Sequence, residues 1–125
     1  ITQTSMNETE AGFYRLTGIP VMAFGAMARG YFHAKLNMRP LKEGPARVYD
    51  EIPENGLRAW RLKKLCEQTG WSPAAVLGAY VRDCGLRGIP LCGFSSAAQL
   101  EDTLAMEDIH LTRAQVRYLE TGAAD

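Results

Sequence analysis

Two places in the chain carry residue types that could do chemistry. The first is Phe24, the last residue of the apolar run Ile19-Pro-Val-Met-Ala-Phe24, which offers a flat uncharged ring just before Gly25. The second is Gly93-Phe94-Ser95-Ser96, a turn that leads into a helix beginning Ser96-Ala-Ala-Gln99. Glycine permits close backbone approach, and the free amides at a helix start favour an anion, so this turn is a candidate phosphate site. A plainer reading stands beside each: Phe24 is also what a core aromatic at a strand end looks like, and Ser95 and Ser96 are common helix-capping residues. Proton transfer finds less support. A tyrosine used as a general acid needs a partner within hydrogen-bond reach, and no Lys or His is placed in the sequence to activate Tyr14, Tyr31, Tyr49, Tyr80 or Tyr118.

The elements that must position these residues can be read from pattern and punctuation. Residues 1–7 allow a short strand, and Glu8 to Leu16 a short helix closed by Thr17-Gly18. The run Ile19 to Phe24 is too short for an independent helix and reads as a buried strand. Residues 31–56 show three prolines and no clear period, which predicts a long loop. From Leu57, the residues Leu62, Leu65 and Cys66 recur at helical spacing with Gly70 as terminator. Ser72-Pro73 supplies an N-cap and a first-position proline for a further helix that stops at Gly85. Ile89 to Cys92 reads as a second buried strand. Ser96 to Gln99 and Thr112 to Gln115 both have capping-box form, opening helices that contain Leu100 and Leu104, then Val116 and Leu119. Strands alternating with helices predict an α/β chain with parallel pairing.

Composition narrows the classes. A chain of 125 residues with 46% hydrophobic and 22% charged residues fits a single globular domain over 1–125. Its 14 basic and 14 acidic residues cancel, which argues against a nucleic-acid or anionic-membrane partner. The cluster Arg58, Arg61, Lys63, Lys64 reads as a solvated helix face. Cys66, Cys84 and Cys92 are odd in number and widely spaced, as expected in a reducing, cytoplasmic setting. His33 and His110 stand apart from them, so no metal site is expected. No apolar stretch approaches the roughly 20 residues that span a bilayer. A start at Ile1 rather than Met is expected of a processed or trimmed chain.

The segment Gly18-Ile-Pro-Val-Met-Ala-Phe-Gly-Ala-Met-Ala-Arg-Gly30 resembles the seventh strand and following loop of the aldo-keto reductases. Some sixty residues on, GWSPAAVLGAYVRDCGLRGIPLCGFSSAAQLEDTLAMEDIHLT resembles that family's seventh helix, eighth strand, phosphate-side helix and final helix, in the family's order. The resemblance implies the C-terminal portion of a (β/α)8 TIM barrel, incomplete as a barrel in this chain. It implies NADP or NAD as cofactor. Phe24 falls where the family has an aromatic, usually Tyr, stacked on the nicotinamide. Gln3 falls near the sixth-strand glutamine that binds the carboxamide, although its spacing to Phe24 is shorter than is usual. Gly93, Phe94, Ser95 and Ser96 fall in the turn that meets the adenosine phosphate. Gln99 stands where many members have an arginine for the 2'-phosphate, and Thr103 where they have asparagine, so the choice between NADPH and NADH stays open.

The family's catalytic Tyr, Lys, His and Asp lie on earlier strands that have no counterpart in these residues, so the chain is expected to be inactive alone. Open strand flanks are expected to drive self-association or pairing with the other barrel half. The alternative expectation is a non-catalytic structural or oligomerisation module that reuses the fold fragment.

Overall fold

The computed structural model describes residues 6–41, 44 and 46–123. Helix α1 (Glu8–Thr17) opens with a capping box, in which Asn7 Oδ1 accepts from the Glu10 amide while the Glu10 carboxylate accepts from the Asn7 amide. Strand β1 (Val21–Phe24) follows, then a single 3-10 turn, Ala28–Gly30, that runs into α2 (Tyr31–Leu36). After α3 (Arg47–Asp50) come the two longest helices, α4 (Pro53–Thr69) and α5 (Pro73–Asp83). The chain closes with β2 (Gly88–Leu91), α6 (Ala97–Leu104), a 3-10 turn (Ala105–Asp108) and α7 (Arg113–Thr121).

The expected α/β pairing is present. β1 and β2 run parallel with Val21 opposite Gly88 and Phe24 opposite Leu91, joined by the long helical crossover that a parallel pair requires. The sheet has these two strands among the described residues. Its burial differs from expectation. Both strands alternate half-buried and exposed positions instead of being buried throughout. Gly88 lies so close to α5 that a Cβ there would collide with the Val81 carbonyl. The other face carries Met22, Phe24, Ile89 and Leu91, and Met22 and Phe24 are 68% and 78% exposed. Period-two alternation puts all four on one side, and no described element covers that side.

The core is helical instead. Tyr31 and Phe32 of α2, Leu62 and Leu65 of α4, Val76 and Leu77 of α5 and Leu119 of α7 form one buried cluster, joined by Ile109 and Leu111. The segment 31–56, expected as a long loop, contains α2, α3 and the start of α4. Helices of six and four residues are below the length at which propensity or periodicity shows. α2 exists because Tyr31 and Phe32 are 0% and 1% exposed against α4. Pro53, read as a loop residue, is the first residue of α4, a position where proline loses no hydrogen bond.

The basic face also divides. Lys63 is exposed, Lys64 is half-exposed, and both pair with Glu67, as a solvated face should. Arg58 and Arg61 are buried. Arg61 donates to the Glu120 carbonyl at 2.9 Å and pairs with Glu54 at 3.0 Å, so it caps the end of α7. On α5, Arg82 and Asp83 clamp the segment before α7. Arg82 donates to the Met106 and Ile109 carbonyls, and Asp83 accepts from the Leu111 amide at 2.8 Å.

Candidate functional site

Parallel pairing in register brings the carboxyl ends of β1 and β2 side by side, since Phe24 and Leu91 are partners. Phe24 therefore sits beside the strand end from which Cys92 and the Gly93–Ser96 turn depart. In α/β sheets this end is where ligands bind.

Phe24 projects from the uncovered sheet face, and the guanidinium carbon of Arg29 lies 5.7 Å from its ring centroid. The loop between them turns back sharply. Gly25, Ala28, Arg29 and Gly30 have φ of 83°, 47°, 51° and 84°. Left-handed backbone at a non-glycine residue costs roughly 1 kcal/mol or more. It persists here because Ala28 is buried and Tyr31 begins an anchored helix. Arg29 was not singled out from sequence, because the signal that would have found it, a glycine on each side of a short turn, says nothing about side-chain direction.

The second half of the site is the entry to α6. Ser96 Oγ accepts from the Gln99 amide at 3.3 Å, which is half of the expected capping box. The other half is rerouted. Gln99 Oε1 accepts from the Ser95 amide at 2.8 Å and the Ser95 hydroxyl at 3.1 Å, instead of from the Ser96 amide. Gln99 thus fastens the turn to the helix. Gly93 has no left-handed φ, and a Cβ there would meet nothing within 4 Å, so the open space lies outside the chain. The Ala97 and Ala98 amides stand in the first turn of α6, where a helix lacks internal acceptors. Phe94 is half exposed beside them. Thr103 is placed otherwise. It is buried, and its hydroxyl donates to the Gln99 carbonyl at 2.8 Å, back along its own helix and away from the turn. Gln3 lies outside the described residues.

Two tyrosines, Tyr31 and Tyr80, have environments that oppose proton donation. Tyr31 does have a lysine nearby, contrary to the sequence reading. Lys35 Nζ stands 5.9 Å from its ring centroid and 2.6 Å from Asp50, which also faces the Tyr31 hydroxyl at 3.5 Å. Yet Tyr31 is fully buried, and burial first, then the Asp50 charge and hydrogen bond, push its phenol up to about 12. A proton donor needs the opposite shift and access to substrate. Tyr80 is likewise pushed up, by burial and then by its 2.7 Å hydrogen bond to Glu120. The thiols follow the same rule: burial pushes Cys66 up to about 11 and raises Cys92. Among the described residues no group of three His, Cys, Asp or Glu could hold a metal, and no helix is long and apolar enough to cross a membrane.

A strand end bearing an exposed aromatic, beside a glycine-serine turn that opens a helix, is the arrangement the resemblance implied. Comparison with known proteins bears on the family of the chain. Searches of curated proteins and of solved structures gave no match. The model of the aldo/keto reductase family, by contrast, matches residues 5–123, nearly the whole chain. The chain belongs to the aldo/keto reductase family.

Proposed function

We propose that this chain is the cofactor-side, C-terminal part of a (β/α)8 aldo-keto reductase barrel and that it binds a nicotinamide nucleotide without reducing carbonyls by itself. The observation that supports this most is the register of β1 and β2, which sets Phe24 and the Gly93–Ser96 turn at neighbouring carboxyl ends of parallel strands. The residues present fit the nucleotide. The exposed Phe24 ring offers a flat face for the nicotinamide, and it needs no hydroxyl to do so. Gly93 leaves room for a phosphate to approach the backbone, and the Ala97 and Ala98 amides point their dipoles at it. The turn carries no cation, and Gln99 is committed through its carbonyl oxygen to Ser95. Its amide group suits a ribose hydroxyl better than a 2'-phosphate dianion, so NADH should bind at least as well as NADPH.

Bound nucleotide supplies a hydride in this family. What the chain's own residues contribute is positioning, because no described tyrosine is both exposed and paired with an activating Lys or His. The three cysteines are free, which fits the reducing cytoplasm. The test is thermal unfolding with and without millimolar NADH and NADPH, since a ligand that binds only the folded state raises the midpoint. A concentration-dependent rise, abolished in Phe24→Ala, is expected, and no aldehyde reduction with either nucleotide. No shift with either one would overturn the reading.

That outcome would favour a second reading, an assembly module without nucleotide. It rests on the bare apolar face of Met22, Phe24, Ile89 and Leu91, because parallel sheets are normally covered on both faces. Pairing with strands of the other barrel half, or with a second copy, would cover it.

A further inference from the structure

An open cleft of about 940 Å3 lies between α1, β1 and the inner faces of α4 and α5, with the end of α7 at its rim. It shares Phe24 with the nucleotide site, but neither the Gly93–Ser96 turn nor α6 lines it. Arg58, from α4, is its one charged residue drawn from the core. The Arg58 side chain is 95% buried, being 5% exposed. A guanidinium has five donors, yet among the described residues this one makes a single hydrogen bond, from Nη1 to Asn55 Oδ1 at 3.0 Å. Its Nε is buried with no acceptor. Among the described residues it joins no ion pair, unlike Arg61, which reaches Glu54.

A buried cation without an anion is strongly unfavourable. Glu120 lines the same cleft, but its carboxylate accepts the Tyr80 hydroxyl and its carbonyl accepts Arg61. The same cleft is lined by the apolar Phe32, Leu77, Val81 and Leu86, and along α1 by Glu8, Glu10 and Arg15. A buried charged group beside apolar side chains is a common feature of small-molecule sites. We infer that the cleft binds a small organic acid, with its carboxylate on the Arg58 guanidinium and its apolar body along Leu77 and Val81. The charge balance selects a monoanion. Glu8, Glu10 and Glu120 line the same cleft and oppose a phosphate dianion, whereas one carboxylate matches the one unpaired guanidinium.

The probe is 4-phenylbutanoate, with 4-phenylbutan-1-ol as its neutral counterpart, added to the purified chain. The acid is expected to raise the unfolding midpoint with concentration, and the alcohol to bind about ten-fold more weakly or worse, the loss of one charge-assisted hydrogen bond. In wild type the Arg58 Nε–H resonance, assigned by its absence in Arg58→Lys, should move on addition of the acid alone. Arg58→Met removes an uncompensated buried charge at similar chain length, so it should fold and bind acid and alcohol alike. Equal response to acid and alcohol in wild type, no response to either, or an unmoved Arg58 resonance would each overturn the inference, whether or not Arg58→Met folds.

Discussion

At the scale of single residues, charge and burial decide more than residue type. Asp83 shows it. Burial alone would raise its carboxyl, but the Arg82 hydrogen bonds, the Leu111 amide and the charges of Arg82 and His110 outweigh burial and hold it below the usual carboxylate range. A depressed folded value stabilises the protein at pH above the unfolded value of about 3.9, and that stability is lost as pH falls through the folded value. Asp83→Asn should therefore cost about 2 kcal/mol at neutral pH, the worth of hydrogen bonds to a charged group. The difference from wild type should shrink below about pH 4, as urea unfolding at both pH values would show. A constant difference across pH would mean that the clamp acts through shape alone. Phe24, Arg29 and Arg58 carry the opposite lesson. Each is an ordinary residue type made distinctive by what surrounds it, or by what does not.

At the scale of elements, caps and close contacts set the boundaries. Thr112 and Gln115 form a full capping box, with Thr112 Oγ1 accepting from the Gln115 amide and Gln115 Oε1 from the Thr112 amide. Thr112→Ala should lower stability by about 1 kcal/mol, and because α7 supplies Val116 and Leu119 to the core the loss should appear as a lower global midpoint rather than local fraying. Ser96→Ala should cost less, since Gln99 still ties α6 to Ser95. Gly88 is the stricter case. The Val81 carbonyl stands where a Cβ would go, and backbone cannot step aside as a flexible side chain can. Gly88→Ala should push β2 off α5 and cost about 2 kcal/mol, at the middle of the range for overpacking. It should also weaken any nucleotide-dependent rise in midpoint, because β2 carries the turn. Unchanged stability in Gly88→Ala would show that β2 does not rest on α5 as described.

At the scale of the whole molecule, helices hold a complete core while the sheet stays half-dressed. Two strands cannot cover their own second face, so Met22, Phe24, Ile89 and Leu91 remain exposed together. Sedimentation velocity at increasing concentration should show self-association, and Met22→Glu should reverse it by placing a charge on the apolar face. A chain that stays monomeric at all concentrations would show that this face tolerates water unaided.

Much of this was legible from the residues alone. Strand and helix order, the Gly70 stop, the Ser72-Pro73 start and the capping residues are local matters, decided within four or five positions by backbone hydrogen bonding and by φ. The parallel pairing of β1 with β2 was legible from the order of strands and helices along the chain. What only the tertiary structure decided involves groups far apart in sequence. Whether α2 forms depends on α4, whether Arg58 is solvated depends on α5 and α7, and whether a strand is buried depends on elements on both its faces. Sequence period reports which residues share a face, but burial depends on what packs there, and desolvation is a property of the assembled whole.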